Sequence, residues 1–351
     1  MGAAPRAGWL SSSIHTPSGS TERSTPSTNP RRAPILSAVT SWVDAVLAVE
    51  PAARRAPSVL NTQPVVLHRK DGRIAVHWDE ARPLRYLDPG RDQLWLSLGA
   101  FIEALVIAAA EAGLGVRAEY PVDLARHRFA VLYPGPTVRS RFTTRELLDR
   151  VTGTGRFADP PPSLAEVDHL AEQAGLPSGM RVIAWERATS NPLAERAHRW
   201  LFATAEPRRE LRSWVRPGQD DGIEPAALGL PAWRAALFRT VPDALDDSTA
   251  DLLGGHPRGI GTLVALVDTA PTHDPARVGS LGGGWLRLTL QGIRHGLRLQ
   301  PLPHLTACPD TVERLATLLD NADLSGRVAC VLRLGTPERE PPLSRRRPTP
   351  I

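Results

Sequence analysis

Two stretches carry the residue types from which a binding site could be built. In Ala56-Pro57-Ser58-Val59-Leu60-Asn61-Thr62-Gln63-Pro64, four short hydrogen-bonding side chains sit between two prolines and apolar neighbours. Proline fixes φ and removes a donor, so neither a helix nor a central strand runs through this stretch. Its polar groups either satisfy backbone groups in a tight turn or face a ligand. The second stretch, Arg139 to Leu148, contains Arg141-x-Thr143-x-Arg145. In an extended segment these side chains share one face, and two guanidiniums around a hydroxyl make a receptor for phosphate or for a polar ring edge. At a helix start the same residues read instead as a cap, with Thr143 or Thr144 accepting and Glu146 near N3.

Other chemistry has no signature. There is no G-x-G-x-x-G after a strand, no phosphate-binding P-loop and no G-x-S-x-G elbow. The 10 His are scattered without ligand spacing, so neither a metal nor a catalytic acid, base or nucleophile is expected. Gly282 to Gly284 read as a helix start. Two cysteines, Cys308 and Cys330, cannot build a disulfide framework and point to a reducing cytoplasm. The net charge of +5 is carried almost entirely by Arg, with Lys70 the single lysine, and the base is interspersed with acid. That dispersal argues against nucleic acid as a partner. The run Leu94 to Ala110 carries Glu103 and falls short of a membrane span, and the N-terminus lacks a signal-peptide apolar region. A cytoplasmic protein with no membrane partner is expected.

The elements that must position these stretches follow from periodicity. Residues 1–33, rich in Ser, Thr, Pro and Gly, read as a disordered tail. Ser37 is a candidate cap for a helix to about Ala53. Two alternating runs around Asp71-Gly72 predict a hairpin. A helix over about 92–112 stops at Gly113, and its Ser97, Gly99, Ala100, Ala104 and Ala108 suit close packing. A strand over 127–133 ends at the boundary Pro134-Gly135-Pro136. Beyond it a helix (163–174), a strand (180–186), a helix (191–205), a strand (261–269), a helix (274–295), a short helix (309–319) and a strand (326–335) repeat the plan. A Trp/Pro/Gly-rich segment, 207–232, interrupts it. The fold class is α+β with two similar halves, each a small mixed sheet flanked by helices: 34–136 and 137–351.

With both stretches in view, the chain resembles the flavin-dependent nitroreductase superfamily. Ala56-Pro57-Ser58-x-x-Asn61-Thr62-Gln63-Pro64 is similar to its A-P-S-x-x-N-x-Q-P-W motif, and Arg141-x-Thr143-x-Arg145 to its R-x-S/T-x-R. In an ordinary subunit the Arg motif comes first, whereas here it follows. That order is similar to the Acg-like branch, in which one chain fuses two nitroreductase-like halves. "DPGRDQLWLSLGAFIEALVIAAAEAGL", "GIRHGLRLQPL", and "RVACVLRLG" with "SRRRP" resemble further segments of the branch. Val65 stands where the family has Trp, Val59 replaces a second Ser, and Phe142 and Thr144 depart from R-H-T-N-R.

The resemblance implies one flavin mononucleotide (FMN) per chain, bound between the halves of a monomeric internal pseudo-dimer. Arg141 with Arg345 or Arg346 would neutralise its phosphate, and Arg145 would face the pyrimidine edge. Thr143 would bond the phosphate or ribityl chain. Pro57, Ser58, Asn61 and Gln63 would line the ring or ribityl chain, and the backbone at Pro301 and Leu302 would approach the reactive edge. The implied activity is hydride transfer from NAD(P)H or an organic donor to a nitro, quinone or other small conjugated acceptor. Two further readings are a storage or sequestration protein closed by a lid at 207–232, and a flavin dehydrogenase of a biosynthetic intermediate.

Overall fold

The computed structural model describes residues 41–225, 259–270 and 272–351. The expected tail at 1–33 and the candidate cap Ser37 lie outside the described residues. Ser41 is the N-cap actually seen, its Oγ accepting from the Asp44 amide at 3.1 Å at the start of α1 (Trp42–Ala53). Strands β1 (Val65–Lys70) and β2 (Arg73–Trp78) form the expected hairpin. Asp71 and Gly72 adopt φ of 48° and 73°, the left-handed pair a type I′ turn requires. Helix α2 (Asp92–Glu111) then leads to β3 (Val116–Glu119) and β4 (Arg128–Pro134).

The second half opens with two short helices, α3 (Thr144–Asp149) and α4 (Leu164–Ala174), and β5 (Met180–Ala184). Helices α5 (Arg187–Ala203) and α6 (Ala205–Trp214) follow. Strand β6 (Thr262–Asp268), helix α7 (Pro275–Arg294) and strand β7 (Arg298–Pro301) come next. Helices α8 (His304–Ala307) and α9 (Pro309–Asp320) and strand β8 (Arg327–Gly335) complete the half. Helix α5 starts four residues before the expected Asn191 and runs on through Pro192, which lies inside it and removes one intrahelical donor. The segment 207–232 is helical as far as Trp214, since Pro207 occupies the first turn of α6. Its last part, from residue 226, lies outside the described residues.

The α+β class holds, with one difference. Each sheet has four strands, in the orders β1-β2-β4-β3 and β5-β6-β8-β7, and every pairing is antiparallel, not mixed. The helix crossover carries β3 and β7 one place too far to pair with β2 and β6. The return strands β4 and β8 fill the gap, and antiparallel pairing follows. The repetition reaches the details. The inner pair of each sheet carries an irregularity at the same point, Val76/His77 in one and Leu266/Val267 in the other. After each central helix a glycine with φ near 75° stops it, and Leu114 N to Ala109 O and Leu297 N to Gly292 O are both 2.8 Å.

Helices α2 and α7 cross at the centre of one apolar core shared by both halves. The crossing is glycine on glycine. A Cβ on Gly99 would stand 1.7 Å from Gly279 O, and one on Gly282 would stand 2.2 Å from Leu96 O. Gly282, Gly283 and Gly284 are therefore mid-helix packing residues, not a helix start. Helix α2 is long and apolar enough by composition to cross a membrane, but 83% of that window is buried in the fold, and it is the core helix.

Candidate functional site

The proline-flanked loop after α1 is held in an unusual backbone conformation. Leu60, Asn61 and Gln63 adopt φ of 49°, 54° and 48°, a region that non-glycine residues enter at a cost of about 1 kcal/mol or more each. Local bonds sustain it. The Gln63 amide donates to Ser58 Oγ at 3.1 Å, and the Asn61 amide to Ser58 O at 3.0 Å. Such strain is retained where surrounding structure over-determines it, and here two other segments do so.

The first is 215–225, which leaves α6 and pairs back on itself through Val215 and Ile223. Asn61 Nδ2 donates to Gly222 O at 2.9 Å while the Gly222 amide donates to Asn61 O at 3.1 Å. Gln63 Nε2 donates to Asp220 O at 2.7 Å. Asp221 is gripped by Arg82 and Arg216, each at 2.9 Å. Burial works to raise its carboxyl, but the hydrogen bonds from Arg216 and Arg82 outweigh that and hold it below the ordinary value. The second segment is the chain leaving β8. Arg346 Nη1 donates to Asn61 Oδ1, the Arg347 amide to Gln63 Oε1 at 3.0 Å, and the Leu67 amide to Pro350 O at 2.8 Å.

Between these segments lies a cavity of about 350 Å³. Pro57, Ser58 and Asn61 line one side, Arg216, Gln219, Gly222 and the carboxylate of Glu224 another, and Thr152, Thr154, Gln300 and Pro301 a third; Ser344, Arg345 and Arg346 also line it. Asn61 reaches the cavity, but its amide is spent on protein partners, and so is that of Gln63, which lines a smaller neighbouring pocket. Trp214 does not cover the cavity. It is buried in the core with the Arg216 guanidinium stacked on it at 4.2 Å.

Behind the wall three guanidiniums converge. Arg150 is fully buried; its Nε donates to Arg55 O at 2.6 Å, while Arg55 Nη2 returns a bond to Arg150 O at 3.2 Å. Each thereby fixes the other across the boundary of the halves. Arg150 also donates to Thr152 Oγ1 at 3.2 Å, and Arg55 to Ser344 O at 2.7 Å, so both back residues that line the cavity. Among the described residues, no carboxylate pairs with Arg55, Arg150 or Arg346. Arg55 Nε, Arg150 Nη2 and Arg346 Nε are buried with no partner. Burial and the neighbouring Arg55 lower the Arg150 pKa to about 9, and burial, with Arg150 and Arg55 beside it, pushes Arg346 well down. Buried like charges with free N–H donors are costly, and an anion is what would offset that cost.

The structure does not bring Arg141, Thr143 and Arg145 to this cavity. Thr143 caps α3 in a capping box with Glu146, its amide donating to Glu146 Oε2 at 2.8 Å. Arg145 is exposed and pairs with Asp149 at 2.5 Å, and Arg141 lines a separate surface groove. The stretch is a helix start, so its side chains fan out instead of sharing a face. Leu302 also departs from expectation: its side chain is in the core of the second half, and its amide donates to Val331 O. Pro57, Ser58, Asn61, Pro301, Arg345 and Arg346 do come together. Sequence reasoning missed Arg55, Arg150, Thr152, Thr154 and Gln300. A signal existed: Arg150-x-Thr152 repeats the Arg-x-Thr pattern nine residues after Arg141, with Thr154 where a second Arg would stand.

No family model and no curated protein matches the chain. Among solved structures it is similar to a BluB-like flavoprotein from Clostridium difficile 630, at 14% identity over 58% of this chain and 94% of that one, with a TM-score of 0.37. An iodotyrosine deiodinase bound to FMN and 3-iodo-L-tyrosine matches at 15% identity over 59% and 96%, TM-score 0.36. The FMN-dependent nitroreductase NfnB from Mycobacterium smegmatis, in complex with NADPH, matches at 15% identity over 55% and 86%, TM-score 0.32.

Proposed function

We propose that the chain is an FMN-binding oxidoreductase of the nitroreductase type, built as a fused pair of similar halves with one cofactor site. The observation that carries the reading is the cluster of Arg346, which lines a cavity of about 350 Å³, with the half-buried Arg55 and the fully buried Arg150 behind it, each carrying one buried N–H without a partner. A phosphate monoester dianion suits that donor set, since guanidiniums bind phosphate through paired, charge-assisted bonds. Thr152 and Thr154 offer hydroxyls beside it, and Pro57, Ser58 and Pro301 would line the ring. When bound, FMN would supply the hydride chemistry, so no side chain need act as acid or base. The protein's residues would bind the phosphate, hold the ring and exclude water. The proposed donor is NAD(P)H or an organic hydride donor, and the acceptor a nitro, quinone or other small conjugated compound; the working unit would be a monomer in the cytoplasm.

A single site follows from the loops. The first half spends residues 54–64 between α1 and β1, whereas the second passes from α4 to β5 in residues 175–179. That shorter connection leaves no room for a second proline-flanked loop. The purified protein is expected to be yellow with one FMN per chain. A protein that stays colourless in added FMN, or that holds two, would defeat this reading.

A storage role is the second reading, and the strap at 215–225 favours it. Four separate anchors, at Asn61, Gln63, Arg82 and Arg345, pin the strap across the cavity. Anaerobic mixing with NADPH separates the two: prompt bleaching of the flavin, restored by an acceptor, supports the enzyme, and no bleaching supports storage.

A further inference from the structure

A second concavity, a groove of about 650 Å³, lies at the surface between the segment leaving β4 and helices α4 and α7. Arg139, Ser140, Arg141, Gln173, Gln291 and Arg294 line it. Its place follows from the internal repeat. The segment leaving β8 delivers Ser344, Arg345 and Arg346 to the cavity, where it meets the loop after α1. The segment leaving β4 is its counterpart, and it delivers Arg139, Ser140 and Arg141 against the end of α4, the counterpart of α1. There the Arg141 guanidinium lies 3.3 Å from where a Cβ on Gly175 would stand. With only residues 175–179 joining α4 to β5, none of the described residues folds over this second place.

The groove is built, not merely basic. Arg294 is fixed from three sides: it donates to Glu146 Oε1 at 2.5 Å and to Arg141 O at 2.7 Å, and it stacks on the Phe142 ring at 4.6 Å. Gln291 Nε2 donates to Gln173 Oε1 at 2.6 Å, which orders the amide floor between the two helices. The adjacent carboxylate, Glu146, is spent on Arg294 and on the cap of α3. The side chains of Arg139 and Arg141 have no carboxylate partner among the described residues, so within those residues the groove keeps an excess of positive charge. Two free guanidiniums beside a fixed third, in an opening wide enough for a small molecule, suit a group with several anionic oxygens.

We propose that this groove is a second, independent anion site, taking the phosphate or diphosphate group of a small molecule through Arg139 and Arg141. Inorganic pyrophosphate is the probe, titrated calorimetrically into the full chain saturated with FMN, so that the cavity is filled. One saturable pyrophosphate site is expected, and the double variant Arg139→Ala/Arg141→Ala should weaken it by about tenfold or more per guanidinium. The double variant should keep its FMN content and its melting temperature, because both residues lie at the surface. Should the chain take up no FMN, the same titration on Arg150→Met, which breaks the cavity cluster, keeps the two sites distinguishable. Pyrophosphate uptake that persists in Arg150→Met and falls in the double variant supports the groove. Absence of saturable uptake, uptake indifferent to the double variant, or uptake lost in Arg150→Met overturns it.

Discussion

At the scale of single residues, Arg150 and Arg145 illustrate how much context decides. Both are arginines of an Arg/Thr-rich stretch, yet one is fully buried among like charges and the other is 83% exposed beside Asp149. Arg150→Met is therefore expected to weaken FMN binding about ten- to a hundredfold, the equivalent of losing a buried charge-assisted contact worth about 1.5–3 kcal/mol. The same change removes a fully buried charge that two neighbouring guanidiniums repel, so the flavin-free protein should melt at the same temperature or higher. Fluorescence titration with FMN and a melting curve of the apoprotein check the two halves of that statement, and a large loss of apoprotein stability would contradict it. Arg145→Ala should leave FMN affinity within about twofold, because an exposed i,i+4 pair contributes under about 0.5 kcal/mol. If Arg145→Ala binds FMN ten times more weakly, the cavity has been assigned to the wrong residues.

Elements decide the next layer. The strap at 215–225 holds no regular structure of its own and owes its position to Asp221, clasped between Arg82 and Arg216, and to backbone bonds from Asn61 and Gln63. Asp221→Ala leaves Arg82 and Arg216 without their shared partner and should raise the rate at which FMN dissociates, read by stopped-flow recovery of flavin fluorescence. A dissociation rate equal to wild type would mean that the strap does not gate the cavity. The central pair of helices is governed by glycine. Gly282→Ala places a methyl 2.2 Å from Leu96 O, a backbone atom that cannot swing aside. Overpacking of this kind costs about 1–3 kcal/mol, to be read as a lower denaturant midpoint with an unchanged slope. An unchanged midpoint would mean that α2 and α7 can slide apart freely.

The whole molecule responds to pH through a pair of histidines outside the cavity. His198 and His304 face each other with ring centroids 4.6 Å apart, close to Arg333. Burial lowers both pKa values, and for His304 the charges of His198 and Arg333 lower it further. Each ring is therefore neutral in the fold, while the unfolded chain takes up a proton near the ordinary histidine value of about 6.5. The stability due to neutral burial is fully present above about pH 6.5 and is lost as the pH falls below it. Thermal melts between pH 7.5 and 5 should show a falling Tm, and His304→Gln should flatten that slope. A slope as steep in the variant as in the wild type would remove the pair from the explanation.

Much of this architecture is legible in the order of residues. Helix and strand periods, the Asp71-Gly72 turn, the Gly113 and Gly296 stops and the small residues along α2 are local properties, set by backbone sterics and by which side chains avoid water. They suffice for the α+β class and the repeated plan, whereas the loop Pro57–Pro64 is singled out by its resemblance to a family motif. Of the cluster behind the cavity, the resemblance pointed to Arg346, but its meeting with Arg55 and Arg150 was not legible in this way. Arg55, Arg150 and Arg346 lie far apart in the chain, and nothing in their neighbours marks them as buried. They come together only because the segment leaving β8 crosses to the other half, where Arg55 donates to Ser344 O and Arg346 to Asn61 Oδ1. Tertiary structure also decided the fate of Arg141-x-Thr143-x-Arg145, whose residues suit a phosphate receptor and a helix cap equally well. A side chain's chemistry is fixed by its type, but whether a charge is left unpaired depends on everything the fold brings near it.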